Sequence, residues 1–178
     1  MLSAFGRLKP VYTFFAHGSA TLPGAPGDYF QGAFYRLTLA EFHLSSRVSF
    51  GSFFAHPQAR VGRRVYVGSY TVLGMVILQD GVQIASGVQI LSGNHQHRRS
   101  PSGTVHHAGE FITVTIAEDV WIGAAAIVMA DVGARTTVGA GSVVTCAIPP
   151  DVVAMGNPAR VVGWNIASPS TAVETKNA

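Results

Sequence analysis

From residue 61 onward, aliphatic residues recur at every sixth position in four triplets: Val61, Val67, Leu73; Leu78, Ile84, Ile90; Ile116, Ile122, Val128; and Val132, Val138, Val144. Six of these positions are followed directly by glycine, at 62, 68, 74, 123, 133 and 139. Another valine precedes six of them by two residues, at 65, 76, 82, 88, 114 and 120. Val-x-Ile is strand alternation with both side chains on one face, and a glycine just after it permits a tight turn. A period of six therefore encodes one short strand and one turn. Such repeats bury a face only by stacking, and hexapeptide repetition is a signature of parallel β-helices. Sandwich strands space at about 8–12 residues and hold no fixed six. Helices are excluded by the density of glycine and β-branched residues. Three hexapeptides complete one triangular coil, so the four triplets predict about four coils.

The intervals between triplets carry the next inference. Leu73 to Leu78 and Val128 to Val132 are small slips that a corner absorbs, but Ile90 to Ile116 is far longer than one hexapeptide. The excess must leave the column as a loop, and long loops in compact domains are usually functional. The loop, LSGNHQHRRSPSGTVHHAGEFI over 91–112, holds His95, His97, His106 and His107, four of the chain's 7 histidines, with Arg98 and Arg99.

The flanks are less regular. Pro10, Pro23 and Pro26 with Gly18, Gly24 and Gly27 argue against long regular structure before residue 28. Asp28 as N-cap and Phe30, Phe34, Leu37 and Phe42 at roughly helical spacing predict a short amphipathic helix over about 29–42. Its expected role is to pack on the end of the column; a single Arg36 against Glu41 makes a poor membrane-surface face. Pro149 and Pro150 are expected to end the column, and the Ser/Thr/Ala-rich tail from 166 to 178 reads as disordered. The expected organisation is an N-terminal segment over 1–60, a column over 61–148 with its loop at 92–112, and a C-terminal extension and flexible tail over 149–178.

Composition adds a question about surface. Hydrophobic residues make up 48% and charged residues 12% of the 178 residues, against about 25% charged in an ordinary soluble domain. No apolar run approaches a membrane span, and no 7–15-residue apolar core with a cleavage site follows the N-terminus, so no signal peptide and no stable membrane insertion are expected. A subunit interface is the better home for the excess. The single Cys146 excludes an internal disulfide and fits a reducing, cytoplasmic setting. The net charge of +3, without basic runs, suits a small anionic ligand and not a nucleic acid.

Three stretches, VQIASGVQILSGNH (82–95), ITVTIAEDVWIGAAAIV (112–128) and VGAGSVVTCAIPPDVVAMGNPARVV (138–162), resemble the hexapeptide-repeat acyltransferases, in particular the maltose and galactoside O-acetyltransferases and the sugar acetyltransferases of exopolysaccharide synthesis. The resemblance covers about 60% of the chain, in the family's order and spacing, with WIG, GAGSVVT and GNPA its most specific elements. It implies an all-β, left-handed parallel β-helix of hexapeptide repeats with a short N-terminal helix and a protruding loop. It also implies a homotrimer with acetyl-CoA lying in the cleft between columns, and direct acetyl transfer to a hydroxyl of a sugar or glycan precursor for polysaccharide biosynthesis, with no metal. The family's essential His falls on His95. The CoA-contacting positions fall on Ala124, Ala140, Thr145, Cys146 and Arg160.

The residue chemistry fits this in part. A hydroxyl that attacks a thioester needs a positioned base, and imidazole is the usual one. His95 is the candidate, with His97 as runner-up. Small residues at turns let a pantetheine arm approach the backbone, and Arg160 can pair with a phosphate. Backbone N–H groups near Gly123 and Ala124 are candidate oxyanion donors. No acyl-enzyme is expected, because Cys146 lies beyond the last ladder residue. Where relatives often carry a basic residue, Cys146 is neutral, and a further basic position falls on Gly163. Trp121, between Val120 and Ile122, should point outward, either into a subunit interface or as a wall of the acceptor site.

Several alternatives stand beside this reading. One is acetylation of an amino-sugar nitrogen or a drug hydroxyl. Another is a non-catalytic scaffold. A third is a zinc site from His95, His97, His106 and His107. The metal-dependent carbonic-anhydrase branch of the column fold places histidines on neighbouring coils, and 61–90 and 116–144 contain none.

Overall fold

A computed structural model describes residues 2–92, 97–99, 105–107 and 111–165, with side chains over 10–92 and 111–165. The chain forms a left-handed parallel β-helix of about five turns, preceded by two helices. Each turn is a triangle of two- or three-residue strands, and each face of the column is a parallel sheet in which every strand pairs with its counterpart one coil away. The first face begins with Glu41–Phe42, Arg60–Val61, Val76–Leu78 and Val114–Ile116, the second with Arg47–Val48, and the third with Phe53–Phe54. The ladder resumes directly across the interruption: Val114 pairs with Val76 and Ile116 with Leu78.

All twelve ladder residues of the four triplets point inward and are buried. Burying each stabilises the column by roughly 1.5–3 kcal/mol before entropy is counted. A coil precedes them. Phe42, Val48 and Phe54 also stand six apart and are buried, so the column starts near residue 41 and not at 61. It also runs past Pro149 and Pro150. Strand Val152–Gly156 adds to the second face with Val152 and Ala154 buried, then turns back as the antiparallel strand Ala159–Trp164. The prolines are tolerated because they occupy a corner, where no ladder N–H is required. The tail over 166–178 lies outside the described residues.

The glycines after ladder residues act by close approach. A Cβ on Gly123 would lie 2.5 Å from the Ala140 nitrogen of the next coil. The left-handed backbone falls two residues later, at Arg64, Tyr70, Ala125, Arg135 and Gly141. Corner hydroxyls satisfy backbone groups that the turns leave open: Ser52 Oγ donates to Gly68 O at 2.6 Å and accepts from Thr71 N at 2.8 Å.

The N-terminal segment departs most from expectation. Helix α1 covers Leu2–Ala20 despite Pro10, and α2 covers Gly24–Thr38 where 29–42 was expected. Pro26 sits in the first turn of α2, where N–H groups have no helical partner to lose. The buried stripe of α2 is Gly27, Gln31 and Tyr35, whereas Phe30 and Leu37 are 54% and 85% exposed. Tyr35 plugs the open end of the column, its ring 5.0 Å from Phe54 and 6.0 Å from Phe42. Gln31 is buried with its amide satisfied, the nitrogen on Val48 O at 2.7 Å and the oxygen on Ala20 N–H at 3.2 Å. Helix α1 is held by Gly51 N–H donating to Ala20 O at 2.8 Å and by Tyr12 Oη donating to Phe54 O at 2.9 Å. Burial pushes the Tyr12 phenol up, which keeps it a neutral donor. Among the described residues no helix is long and apolar enough to cross a membrane.

Candidate active site

The interruption leaves and re-enters the column at one corner, between the third and first faces. Its two roots are closed by Ile112 N–H donating to Ser92 O at 2.9 Å. Just beside them a groove of about 300 Å³ runs along the corner, lined by Leu91, Ser92, Ile112, Thr113, Thr145 and Cys146 among others. Asp131 closes one side, and its carboxylate is fixed by Thr115 N–H at 2.7 Å. The Thr145 hydroxyl lies 3.8 Å from the exposed, free Cys146 thiol. Two of the expected CoA positions, Thr145 and Cys146, are therefore brought to the roots of the histidine loop, although they follow Ile90 by more than 50 residues.

Ala124 and Ala140 stack on the neighbouring corner, between the second and third faces. Gly141 N–H donates to Ala124 O at 2.8 Å, and Ala125 N–H to Ser86 O at 3.0 Å. The rim there is low: small side chains on consecutive coils leave backbone within reach of a thin ligand, and Gly123 has no room for a Cβ. Gly123 N–H is already committed to Val138 O at 2.8 Å. It is not available to an oxyanion, because the inter-coil ladder uses it. Ala124 N–H makes no such ladder bond among the described residues.

Arg160 lies at the same end, on the C-terminal hairpin. It pairs with Met155, whose Cβ stands over Gly139, and its guanidinium donates to Ala159 O at 2.9 Å. Among the described residues it pairs with no carboxylate, which leaves its charge for an anion. Trp121 is 54% exposed on the second face, flanked by Gln83 and Thr137. It points outward as expected and is not part of the groove in a single chain.

His95 lies outside the described residues. For His97, Arg98, Arg99, His106 and His107 the backbone alone is described: His97–Arg99 and Val105–His107 form an antiparallel pair with His97 opposite His107, Arg98 opposite His106 and Arg99 opposite Val105. Among the described residues no three His, Cys, Asp or Glu side chains come together as a metal site; the loop histidines of the zinc alternative fall outside that set. One contact had no counterpart in the sequence reading. The Phe111 ring, just before the returning root, packs edge-on against buried His56 of the first coil, with centroids 4.5 Å apart. It could be found only by recognising 41–54 as a coil, which places His56 on the same corner.

No family model matches the chain. Galactoside O-acetyltransferase of Escherichia coli strain K12 is 34% identical over 113 residues, 57% of this chain and 52% of the relative. Serine acetyltransferase of the same strain is 36% identical over 110 residues, 61% of this chain and 37% of the relative. The chain thus spans about half, or less, of the length of these curated relatives. A solved maltose O-acetyltransferase from Clostridium difficile 630 shares the fold, with a TM-score of 0.72 at 22% identity over 91% of this chain and 88% of that one.

Proposed function

We propose that this chain, similar to galactoside O-acetyltransferase and serine acetyltransferase and sharing the fold of a maltose O-acetyltransferase, is an acetyl-CoA-dependent O-acetyltransferase acting on a hydroxyl of a sugar or glycan precursor. The observation that carries the proposal is the corner groove, where Thr145 and Cys146 meet the two roots of the histidine loop. A base on the loop and a thioester held along the rim would meet there.

In this mechanism His95 accepts the proton of the acceptor hydroxyl as its oxygen attacks the thioester carbonyl. The C–S bond then breaks, and the imidazolium returns the proton to the leaving thiolate. No acyl-enzyme forms and no metal is needed. Ala124 and Ala140 admit the pantetheine arm along the rim, while Thr145 and Cys146 border the thioester end. Arg160, which pairs with no carboxylate among the described residues, offers a charge-assisted bond to a CoA phosphate.

A homotrimer would give the outer second face a partner. Tyr66, Trp121 and Trp164 are large, exposed and carried by strands of that face. In that assembly Trp121 is either buried in the interface or a wall of a neighbour's acceptor site. A cytoplasmic setting supplies the acetyl-CoA.

The relatives' names keep a second acceptor class in view, since one acts on serine and one on a galactoside. Both share the chemistry of a hydroxyl and a thioester. The test is thiol release from acetyl-CoA over a panel of sugars, nucleotide sugars, amino sugars, drug alcohols and L-serine, with light scattering for the assembly. Turnover with sugars and none with serine supports the proposal. Turnover with serine alone replaces the acceptor, and CoA binding without any turnover favours the scaffold reading.

A further inference from the structure

The two helices at the N-terminal end of the column turn an apolar surface to solvent. On α1, Ala16, Ser19 and Ala20 are buried, and Tyr12 stacks on Phe34 of α2 with ring centroids 6.1 Å apart. Val11, Phe14 and Phe15 stand on the other side of that helix, each more than half exposed. On α2 the buried side is Gly27, Gln31 and Tyr35; Phe30 and Leu37 lie opposite, with exposed Tyr29 beside them. The Tyr12–Phe34 stack sets the helices side by side, so both exposed stripes turn away from the column and form one surface. Charge is divided just as unevenly. Residues 1–64 hold seven Lys and Arg against Asp28 and Glu41, a net of +5, whereas 65–178 hold five against seven, a net of −2. Arg36, Arg47, Arg63 and Arg64 are exposed and pair with no carboxylate among the described residues. A groove of about 260 Å³ between α2 and the first coil is lined by Tyr29, Leu44 and Arg47 among others, and Arg64 follows one coil below, its N–H donating to Ser45 Oγ at 3.0 Å.

We propose that this end of the column docks on an anionic lipid surface, with the outer stripes of α1 and α2 seated at the boundary of headgroups and acyl chains and the surrounding arginines on the headgroups. Exposed aromatic and aliphatic side chains on a helix supply the apolar half of such binding, and nearby cations supply the attraction to anionic lipid. Taken alone, α2 is a poor membrane-surface helix, but it ends at Thr38, and Glu41 belongs to the column, 3.9 Å from Arg60. The positive charge comes instead from the first two coils and from Arg7 and Lys9 of α1. Among the described residues no helix is long and apolar enough to cross a membrane, so the contact is peripheral. Charge also decides between a lipid surface and a second copy of the chain. Two copies meeting end to end would bring one +5 surface against another, whereas an anionic bilayer complements it. A trimer packed through the second face leaves this end of the column uncovered.

Sedimentation of the full chain with large unilamellar vesicles tests this, phosphatidylcholine alone against phosphatidylcholine with about one-third phosphatidylglycerol. Wild type should bind the anionic vesicles about tenfold or more tightly than the neutral ones, and about 0.5 M salt should remove most of that difference. F14S/F15S and F30S/L37S should each weaken binding about tenfold or more, since each pair withdraws two large apolar groups from the bilayer. R36Q/R47Q should weaken binding to the anionic vesicles about tenfold and leave binding to the neutral ones as it was. All three variants replace outward side chains, so Tm and the mass by light scattering should match wild type. Should one serine pair prevent folding, the other pair and R36Q/R47Q still decide. The proposal is overturned if the anionic vesicles bind no protein, if both compositions bind equally, or if the serine variants bind as wild type does. It is overturned as well if a serine pair lowers the mass by light scattering, because the stripes are then a contact between copies of the chain.

Discussion

Coils 60–90 and the arm at 97–107 are neighbours in sequence and opposite in design. In the coils every strand is two or three residues long and parallel, and its inward residue is buried to 1% exposure or less. Charge appears only at corners and on outward positions. In the arm the pairing is antiparallel, a single ladder pair stands alone, and nearly every position is basic. A two-residue strand has no stability of its own, so the column is cooperative: each coil is held by the coils above and below it. The arm's strands form a separate sheet outside the column's ladders, and the arm concentrates imidazoles and guanidinium groups that the column carries only at corners and on outward positions. Stability and chemistry are thus held by separate residues, and substitutions should separate them cleanly.

The largest effect expected is on chemistry. His95→Ala should lower kcat by about 10²–10⁴ while calorimetry still finds acetyl-CoA bound, because a general base acts in the transition state and not in CoA binding. Replacing residues 94–110 with a short glycine-rich turn should abolish transfer and leave Tm within a few degrees. The Ser92–Ile112 hydrogen bond already closes the roots, and the ladder continues from Val76 to Val114 without the loop. If the excised protein fails to fold, the separation is wrong and the arm braces the column. If His95→Ala keeps wild-type rates and His97→Ala loses them, the base belongs on the paired arm itself.

The converse test is Ile122→Ala, in the middle of the column and fully buried. Removing a buried isoleucine costs about 2–5 kcal/mol, and Tm should fall by roughly 5–20 °C with acceptor KM little changed in the folded fraction. Differential scanning calorimetry and kinetics on the same sample decide it. A variant that melts normally but loses its acceptor affinity would mean that coil and site are mechanically coupled.

How far each region could be read from sequence follows from the same contrast. The column was legible because Val61 through Val144 repeat one solution to one packing problem, and the loop was legible as the failure of that repeat. The first coil was hidden although Phe42, Val48 and Phe54 keep the spacing. No glycine follows them, since Ser46 and Ser52 hydroxyls tie that coil to the next, and Phe42 also fitted a helical stripe. Helix α1 was hidden by Pro10, whose cost is offset by packing on the column that no local pattern reveals. The face of α2 was misjudged because its buried stripe includes Gln31, a polar residue made tolerable by two backbone partners, while Phe30 and Leu37 face outward. At the site, Thr145 and Cys146 were assigned by resemblance, and the structure brings them to the loop roots. The Phe111–His56 contact needed the unrecognised coil. Each miss lies where tertiary contacts override local preference.

The smallest effect expected concerns the polar coat of the column. Arg135 and Asp151 occupy the same corner on successive coils and form a two-pronged pair, Nε to Oδ1 at 2.6 Å and Nη2 to Oδ2 at 2.8 Å, with Glu118 at 3.4 Å. The guanidinium beside it holds the Asp151 carboxyl below the ordinary carboxylate range. A group whose folded value is depressed adds stability above its unfolded value, near pH 4, and loses it as pH falls through the folded value. Both side chains are exposed, and exposed pairs contribute little. Arg135→Gln should therefore lower Tm only slightly at pH 7, and the gap between the two melting curves should narrow steadily from about pH 5 downward as Asp151 takes up its proton. A constant gap across that range would mean that Arg135 acts through its stem or through its left-handed backbone position and not through charge. A large gap at pH 7 would mean that the outward surface helps hold successive coils in register, and stability could then no longer be assigned to the inward ladder alone.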